Sequence, residues 1–318
     1  MLDRILLPLD GSSLAECVLP HGFSLAQAMN STLTLLQVVE QSVTGGRTRS
    51  VDPMEWHFSK AEAEAYLAQV AERLRAAGLP TEQVLLEGDA AVRVIDHAQT
   101  HQVDLIALSS HGRSGLSGWN VSSVVQKILL RAHVSMLLIP AYQPANAELS
   151  GLRYQRILAP LDGSQRAESV LALATTLAVK HGSQLMLLHI ARRPELPRRA
   201  PPSTGDLALA DQLTERNRLE AGRYLEELQS RLPLPVERRV VVSDSVATTI
   251  HAFAVQEKVD LIVLSAHGYS GGSRWPYGSL ASSFIAYGAT PVLIVQDLPR
   301  NEIEATAAER AARENSKH

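Results

Sequence analysis

The sequence predicts an α/β protein: two tandem copies of one domain, each a five-stranded parallel-sheet sandwich with helices on both faces. Three observations predict it. First, the chain repeats itself. Residues 4–16 (RILLPLDGSSLAE) and 156–168 (RILAPLDGSQRAE) agree at ten of thirteen positions, as do residues 103–115 (VDLIALSSHGRSG) and 259–271 (VDLIVLSAHGYSG). The offsets, 152 and 156, are far too long for a solenoid repeat. They fit 318 residues divided into two domains. Second, each copy alternates short apolar runs with segments of helical spacing, which implies right-handed βαβ crossovers and a parallel sheet covered on both sides. Third, the residues least expected of a plain core fall at strand ends, where ligands of such sheets bind. The boundary is expected in QPANAELSGLRY, residues 143–154, giving domains 1–145 and 146–300 and a tail over 301–318 that frays or forms a short helix.

The elements follow in order. Residues 4–9 form a short apolar run ending in Asp-Gly-Ser, as a buried strand meeting a turn does. Ser13 and Glu16 have capping-box spacing and predict a helix running to about Met29. Residues 32–39 read as a strand, 41–55 as a loop holding Gly45, Gly46 and Pro53, and 56–77 as a helix closed by Gly78 and Pro80. Then come a strand at 83–86, a helix at 90–100, a strand at 103–109, a glycine-rich segment, a helix around 122–131 and a last strand at 134–139. The second copy repeats this with strands near 156–161, 184–190, 236–242, 259–264 and 291–295.

Composition removes several function classes. Charged residues are 20% and the formal net charge is −3. That balance fits neither a disordered polyelectrolyte nor a basic nucleic-acid binder. Residues 1–150 hold 10 basic and 15 acidic residues and the remainder 20 and 18, too small an asymmetry to imply nucleic acid. Aromatics are 4%, so stacking platforms are scarce. Cys17 is the lone cysteine, which excludes an intrachain disulfide and a multi-cysteine metal site. No apolar stretch approaches membrane-spanning length, and the N-terminus carries Asp3, Arg4 and Asp10 where a signal peptide would be apolar. A cytoplasmic protein without membrane contact is expected.

The segments after the fourth strands, SSHGRSGLSGWNVSS (109–123) and SAHGYSGGSRWPYGS (265–279), combine glycine with hydroxyl residues opening a helix. Glycine lets a backbone approach a ligand closely, and free N–H groups at a helix start form an anion site. A plain structural turn reads the same way. There is no G-x-x-x-x-G-K-[ST], and the first strands are followed by Asp-Gly-Ser rather than a dinucleotide fingerprint.

Taken together, the Asp-Gly-Ser element, the His-Gly turn and the apolar last strand resemble a tandem universal stress protein, over essentially residues 1–297. The family motif is G-x2-G-x9-G-[ST] after the fourth strand, with an Asp ending the first. Copy two matches as Ser265, Gly268, Gly278 and Ser279 with Asp162. Copy one matches as Ser109, Gly112, Ser122 and Ser123 with Asp10, so it departs at two glycines where copy two departs at one, which favours copy two as the nucleotide site. The resemblance implies an adenine-nucleotide-binding protein of stress regulation or protection, with ATP, with or without Mg²⁺, as ligand. Ribose and adenine would lie on Pro8, Leu9, Asp10, Val38 and Val39, or on Pro160, Leu161, Asp162, His189 and Ile190. Phosphates would lie on Gly112, Arg113, Ser122 and Ser123, or on Gly268, Gly278 and Ser279. It also implies that the apolar fifth strands pair edge to edge inside the chain and that two chains pair as a homodimer.

The remaining candidates read more plainly. His111 and His267 fit turn residues whose rings pack or cap. Asp10 and Asp162 fit ribose contacts or caps of their own turns. His97, His101, His133, His181 and His251 lack zinc-site spacing. Cys17 fits a buried thiol. Arg192, Arg193, Arg198 and Arg199 sit among prolines and read as a solvated loop. No nucleophile, base and orienter stand at catalytic spacing, so a binder with at most very slow ATP hydrolysis is expected, not an enzyme. The alternative is a stress interaction protein with vestigial sites that binds no nucleotide.

Overall fold

The computed structural model describes residues 2–40, 43–44, 47–48, 53–113, 121–141, 149, 151–195, 201–269 and 276–298. Copy one runs β1 (Arg4–Leu9), α1 (Ser13–Glu16), α2 (Leu19–Met29), β2 (Thr32–Val39), a two-residue pair β3 (Val43–Thr44) and β4 (Arg47–Thr48), α3 (Pro53–Ala76), β5 (Thr81–Glu87), α4 (Ala90–Thr100), β6 (Leu105–Ser109), α5 (Ser123–Arg131) and β7 (Ser135–Ile139). Copy two runs β8 (Arg156–Leu161), α6 (Gln165–Glu168), α7 (Leu171–His181), β9 (Gln184–Ala191), α8 (Thr204–Arg231), β10 (Val236–Val242), α9 (Val246–Gln256), β11 (Leu261–Ser265), α10 (Ser279–Tyr287) and β12 (Val292–Val295). The expected tail at 301–318, the centre of the boundary stretch, the loop arginines 198 and 199 and the tips of both glycine-rich segments lie outside the described residues.

Ten strands form one sheet in the order β10-β9-β8-β11-β12-β7-β6-β1-β2-β5. Pairing is parallel within each copy. At the seam β12 meets β7 antiparallel, with Val292 opposite Leu138, Leu293 opposite Leu137 and Ile294 opposite Met136. In copy one β1 stands between β2 and β6, and in copy two β8 stands between β9 and β11, so the chain winds outward one way and returns the other. That reversal makes the switch point at which open α/β sheets hold ligands.

Side-chain alternation builds two cores. Ile5, Leu7, Leu9, Leu33 and Leu35 face the layer of α2 and α3, with Phe23, Leu67 and Val70. Leu6, Leu36, Met136 and Leu138 face the layer of α4 and α5, with Val94, Val125 and Ile128. Copy two continues both layers through Leu225 and Phe284. Strands buried on both faces read as unbroken apolar runs, which is why the sequence located them closely. Among the described residues no helix is long and apolar enough to cross a membrane.

Three local expectations need correction. The first helix is capped by Ser12, whose hydroxyl accepts from Ala15 N–H at 3.1 Å, not by Ser13. It breaks after Glu16 and restarts at Leu19; copy two breaks at the same place with Ala172 where copy one has Pro20, so the proline is not the cause. The loop expected over 41–55 contains the β3–β4 pair, and α3 begins at Pro53, a residue suited to a first helical turn.

Candidate functional site

The two Asp-Gly-Ser turns fold alike. Asp10 Oδ1 accepts from Ser12 N–H at 3.0 Å and from its hydroxyl at 2.6 Å; Asp162 Oδ1 accepts from Ser164 at the same two distances. Gly11 and Gly163 have φ of +79° and +84°, the left-handed backbone that favours glycine. The second carboxylate oxygen crosses the switch point. Asp10 Oδ2 accepts from Arg113 N–H, and Asp162 Oδ2 accepts from Tyr269 N–H at 2.7 Å. Each Asp therefore ties the first-strand turn to the loop after the fourth strand. A Cβ at Gly112 or Gly268 would overlap that same Oδ2, so the tie itself requires both glycines. Burial alone would push the Asp162 carboxyl up; the hydrogen bonds from Ser164 and Tyr269 together outweigh it and hold the group below the usual carboxylate range.

The helix starts also correspond. Ser122 N–H donates to Ser110 O at 2.8 Å and Gly278 N–H to Ala266 O at 2.7 Å. Ser122 has φ −67° and ψ 158° and its hydroxyl accepts from Val125 N–H, so it is the N-cap of α5. Gly278 caps α10 without a side chain. Ser109 and Ser265, which replace motif glycines, avoid positive φ. Their hydroxyls are used locally: Ser109 Oγ lies 3.4 Å from Cys17 Sγ, and Ser265 donates to His267 O at 2.5 Å. Cys17 is buried, and burial pushes its thiol up.

The histidines after the fourth strands are buried and hydrogen-bonded, by different partners. In copy one His111 Nδ1 lies 3.0 Å from Ser110 Oγ, which accepts from Ala141 N–H at 2.9 Å. In copy two His267 Nδ1 lies 2.8 Å from Asp297 Oδ1, both side chains 1% exposed, and Arg166 Nε stands 3.5 Å from the other oxygen. Ser110 and Ala141 match Ala266 and Asp297 in position. The ring partner has moved from one strand end to the next.

Copy one holds a cleft of about 730 Å³ over this frame. Its walls include Pro8, Leu9, Asp10, Val38, Val39, Gly112, Arg113, Ser122 and Ser123, so all the copy-one residues nominated from sequence meet there. Sequence reading missed Gln37, Glu40, Glu62, Tyr66 and Val124, which also line it. Gln37 was within reach: the ladder sets Leu9 opposite Gln37 and Leu161 opposite His189, so the partner of His189 is Gln37, and Val38 matches Ile190. Gln37 is 9% exposed and its Oε1 has no hydrogen-bond partner among the described residues. His189 stacks edge-on against Tyr224 at 6.0 Å, and burial, opposed by the Asp162 charge, lowers its pKa. In copy two, Pro160, Asp162, Gly268, Gly278 and Ser279 take the places of their copy-one counterparts around the same switch point, while residues 270–275 of its loop lie outside the described residues.

Comparison with known proteins decides the family. A profile described as the universal stress protein family matches residues 1–140 and again residues 153–296. The chain belongs to the universal stress protein family. Universal stress protein Rv1996 of Mycobacterium tuberculosis is similar at 24% identity over 313 residues, 92% of this chain and 94% of that protein. Universal stress protein YxiE of Bacillus subtilis is 25% identical over 147 residues, 44% of this chain and 99% of YxiE. A crystal structure of a universal stress protein from Archaeoglobus fulgidus aligns with 94% of this chain and 100% of its own, at TM-score 0.66 and 20% identity, a likeness of fold. The two profile matches coincide with the two halves of the sheet, so each half is a universal stress protein domain.

Proposed function

We propose that this universal stress protein binds an adenine nucleotide, ATP in the first instance, in the cleft of its first domain, and acts in the cytoplasm as a regulatory or protective binder. The observation that carries the reading is the gathering of Asp10, Gly112, Arg113, Ser122 and Ser123 around one cleft of nucleotide size. The walls fit such a ligand. The first N–H groups of α5 have no intrahelical partners, and Ser122 uses only that of Val125, which leaves the helix start for phosphate. Val38, Val39 and Val94 supply apolar surface for a base.

Charge adds a requirement. Among the described residues, Glu40, Glu62 and Asp10 line the cleft against one cation, Arg113. A polyphosphate entering there needs a divalent counter-ion. Among the described residues no group of three or more His, Cys, Asp or Glu could hold a metal, so Mg²⁺ would arrive on the phosphates themselves. Gly268, Gly278 and Ser279, with Asp162, Pro160, His189 and Ile190, make the second domain a further site of the same class. We read the protein as a binder whose ATP hydrolysis is very slow at most, and whose chains can pair as a homodimer. Titration with ATP, with and without Mg²⁺, tests this. Saturable, Mg²⁺-dependent binding is expected. Its absence would leave the interaction protein with vestigial sites.

A further inference from the structure

One side of the seam carries a buried polar cluster that nucleotide binding does not use. There α2 of the first domain packs on α7 of the second, with the connecting segment ahead of β8 between them. Tyr154, on that segment, is 1% exposed. Its hydroxyl lies 2.8 Å from His21 Nδ1 of α2, and its backbone N–H donates to His181 Nδ1 of α7 at 3.1 Å. His181 Nε2 lies 3.4 Å from Ser24 Oγ of α2, and Ser24 donates its own proton to Leu152 O at 3.1 Å. These contacts settle the tautomer. A nitrogen that accepts from an amide N–H carries no proton, so the His181 proton sits on Nε2 and points at Ser24. The ring therefore joins α7, α2 and the connecting segment only while it is neutral.

The internal repeat supplies a control. At an offset of 152, the counterparts of Tyr154, His181, His21 and Ser24 are Leu2, Met29, Leu173 and Thr176. These four line a cavity of about 380 Å³ on the opposite side of the seam. The polar cluster thus belongs to one side alone and is not demanded by the fold.

We propose that the cluster is a proton-operated clamp between the two domains: a proton added at His181 Nδ1 turns the acceptor of the Tyr154 N–H into a donor, sets two donors face to face, and releases α2 from α7. The sheet pairing of β7 with β12 holds the domains together meanwhile. Burial keeps His21 at about 4, and burial with the Arg153 charge keeps His181 below its usual range. Arg153 is the charged neighbour acting on His181, Asp260 acts on Tyr154, and Ser183 anchors the Tyr154 carbonyl. A histidine whose native pKa is depressed takes its proton first in the released state. The clamp is fully closed above about pH 6.5 and weakens as pH falls below it. His97, His189 and His251 are also depressed by burial, so acid loosens other places too and the test must be local.

The test is hydrogen exchange of the full chain at pH 7.5 and 5.0, read by peptide and corrected for intrinsic rates, in wild type and His181→Asn. Asn keeps an acceptor near Nδ1 and does not titrate. In wild type, peptides covering α2, residues 151–155 and α7 are expected to lose protection about tenfold for each unit of native pKa depression traversed. Peptides of β1 and β8 keep theirs, and His181→Asn loses less than about twofold at the clamp. An unchanged wild type, an equal loss in His181→Asn or a uniform loss over all strands overturns the proposal. If His181→Asn does not fold, nitrogen-detected NMR of wild-type histidines decides. A neutral Nε2–H tautomer at pH 7.5, with the Tyr154 amide signal shifting as His181 titrates, supports the clamp. An Nδ1–H tautomer or an unmoved amide overturns it.

Discussion

The two domains keep one frame around the switch point and change what the frame presents. Asp10 with Gly112 and Asp162 with Gly268 make the same bridge, oxygen for oxygen. Around it, the first domain has Ser122, Gln37 and Arg113 where the second has Gly278, His189 and Tyr269, the last of these 88% exposed. Behind it, the histidine ring is held by Ser110 in one domain and by Asp297 in the other. The unchanged part is the part on which the backbone geometry depends; the changed parts touch the cleft or support it. A duplicated site can thus keep its fold while its ligand preferences diverge.

The comparison can be broken most strongly at its shared element. Gly112→Val and Gly268→Val each drive a side chain into an Asp oxygen and should cost about 1–3 kcal/mol, read as a lower denaturation midpoint. Equal costs in the two domains are expected. A much smaller one at Gly268 would show that the second bridge is dispensable.

The next effect sharpens the histidine difference. Asp297→Ala removes the partner of a buried His267 and should cost about 1–3 kcal/mol. Adding Ala266→Ser, which imports the first domain's arrangement, should recover part of this, with a coupling of about 0.5–3 kcal/mol in a double-mutant cycle. No coupling would mean that the two ring contacts are not equivalent.

Acid probes the second bridge. The native Asp162 carboxyl is depressed, so its contribution is present above the unfolded pKa of about 4 and is lost as pH falls below it. Asp162→Asn should flatten that part of the pH–stability curve. The smallest effect belongs to Gly278→Ser. It adds the cap that Ser122 provides in α5 but brings a Cβ to 3.2 Å from Ala266 O, so the net change in stability should stay within a few tenths of a kcal/mol.

Much of the fold was legible because strands buried on both faces leave unbroken apolar runs, and because a repeat marks its own elements. The strands 4–9, 32–39 and 156–161 stand where the pattern put them. The first helix cap was misplaced by one residue because Ser12 and Ser13 are adjacent and both can cap; the repeat, which sets Ser164 against Ser12 and Gln165 against Ser13, marks Ser12 as the cap. Asp10 and Gly112 were legible as special residues, but not as each other's reason: their contact joins neighbouring strand ends that lie far apart in sequence. Gln37 was passed over although the repeat pairs it with His189, because a single polar residue in an apolar strand gains its meaning from the register that sets it beside Leu9. Tyr66 and Glu62 reach the cleft from α3, whose sequence shows only helical spacing.

Calorimetric titration of the full chain with ATP, with and without Mg²⁺, tests the central claim most directly, set beside Gly112→Val and Gly268→Val variants shown to be folded by circular dichroism. Saturable, Mg²⁺-dependent binding is expected, and Gly112→Val should weaken it at least tenfold, a loss of about 1.4 kcal/mol. No saturable heat, or binding that neither substitution alters, would contradict it.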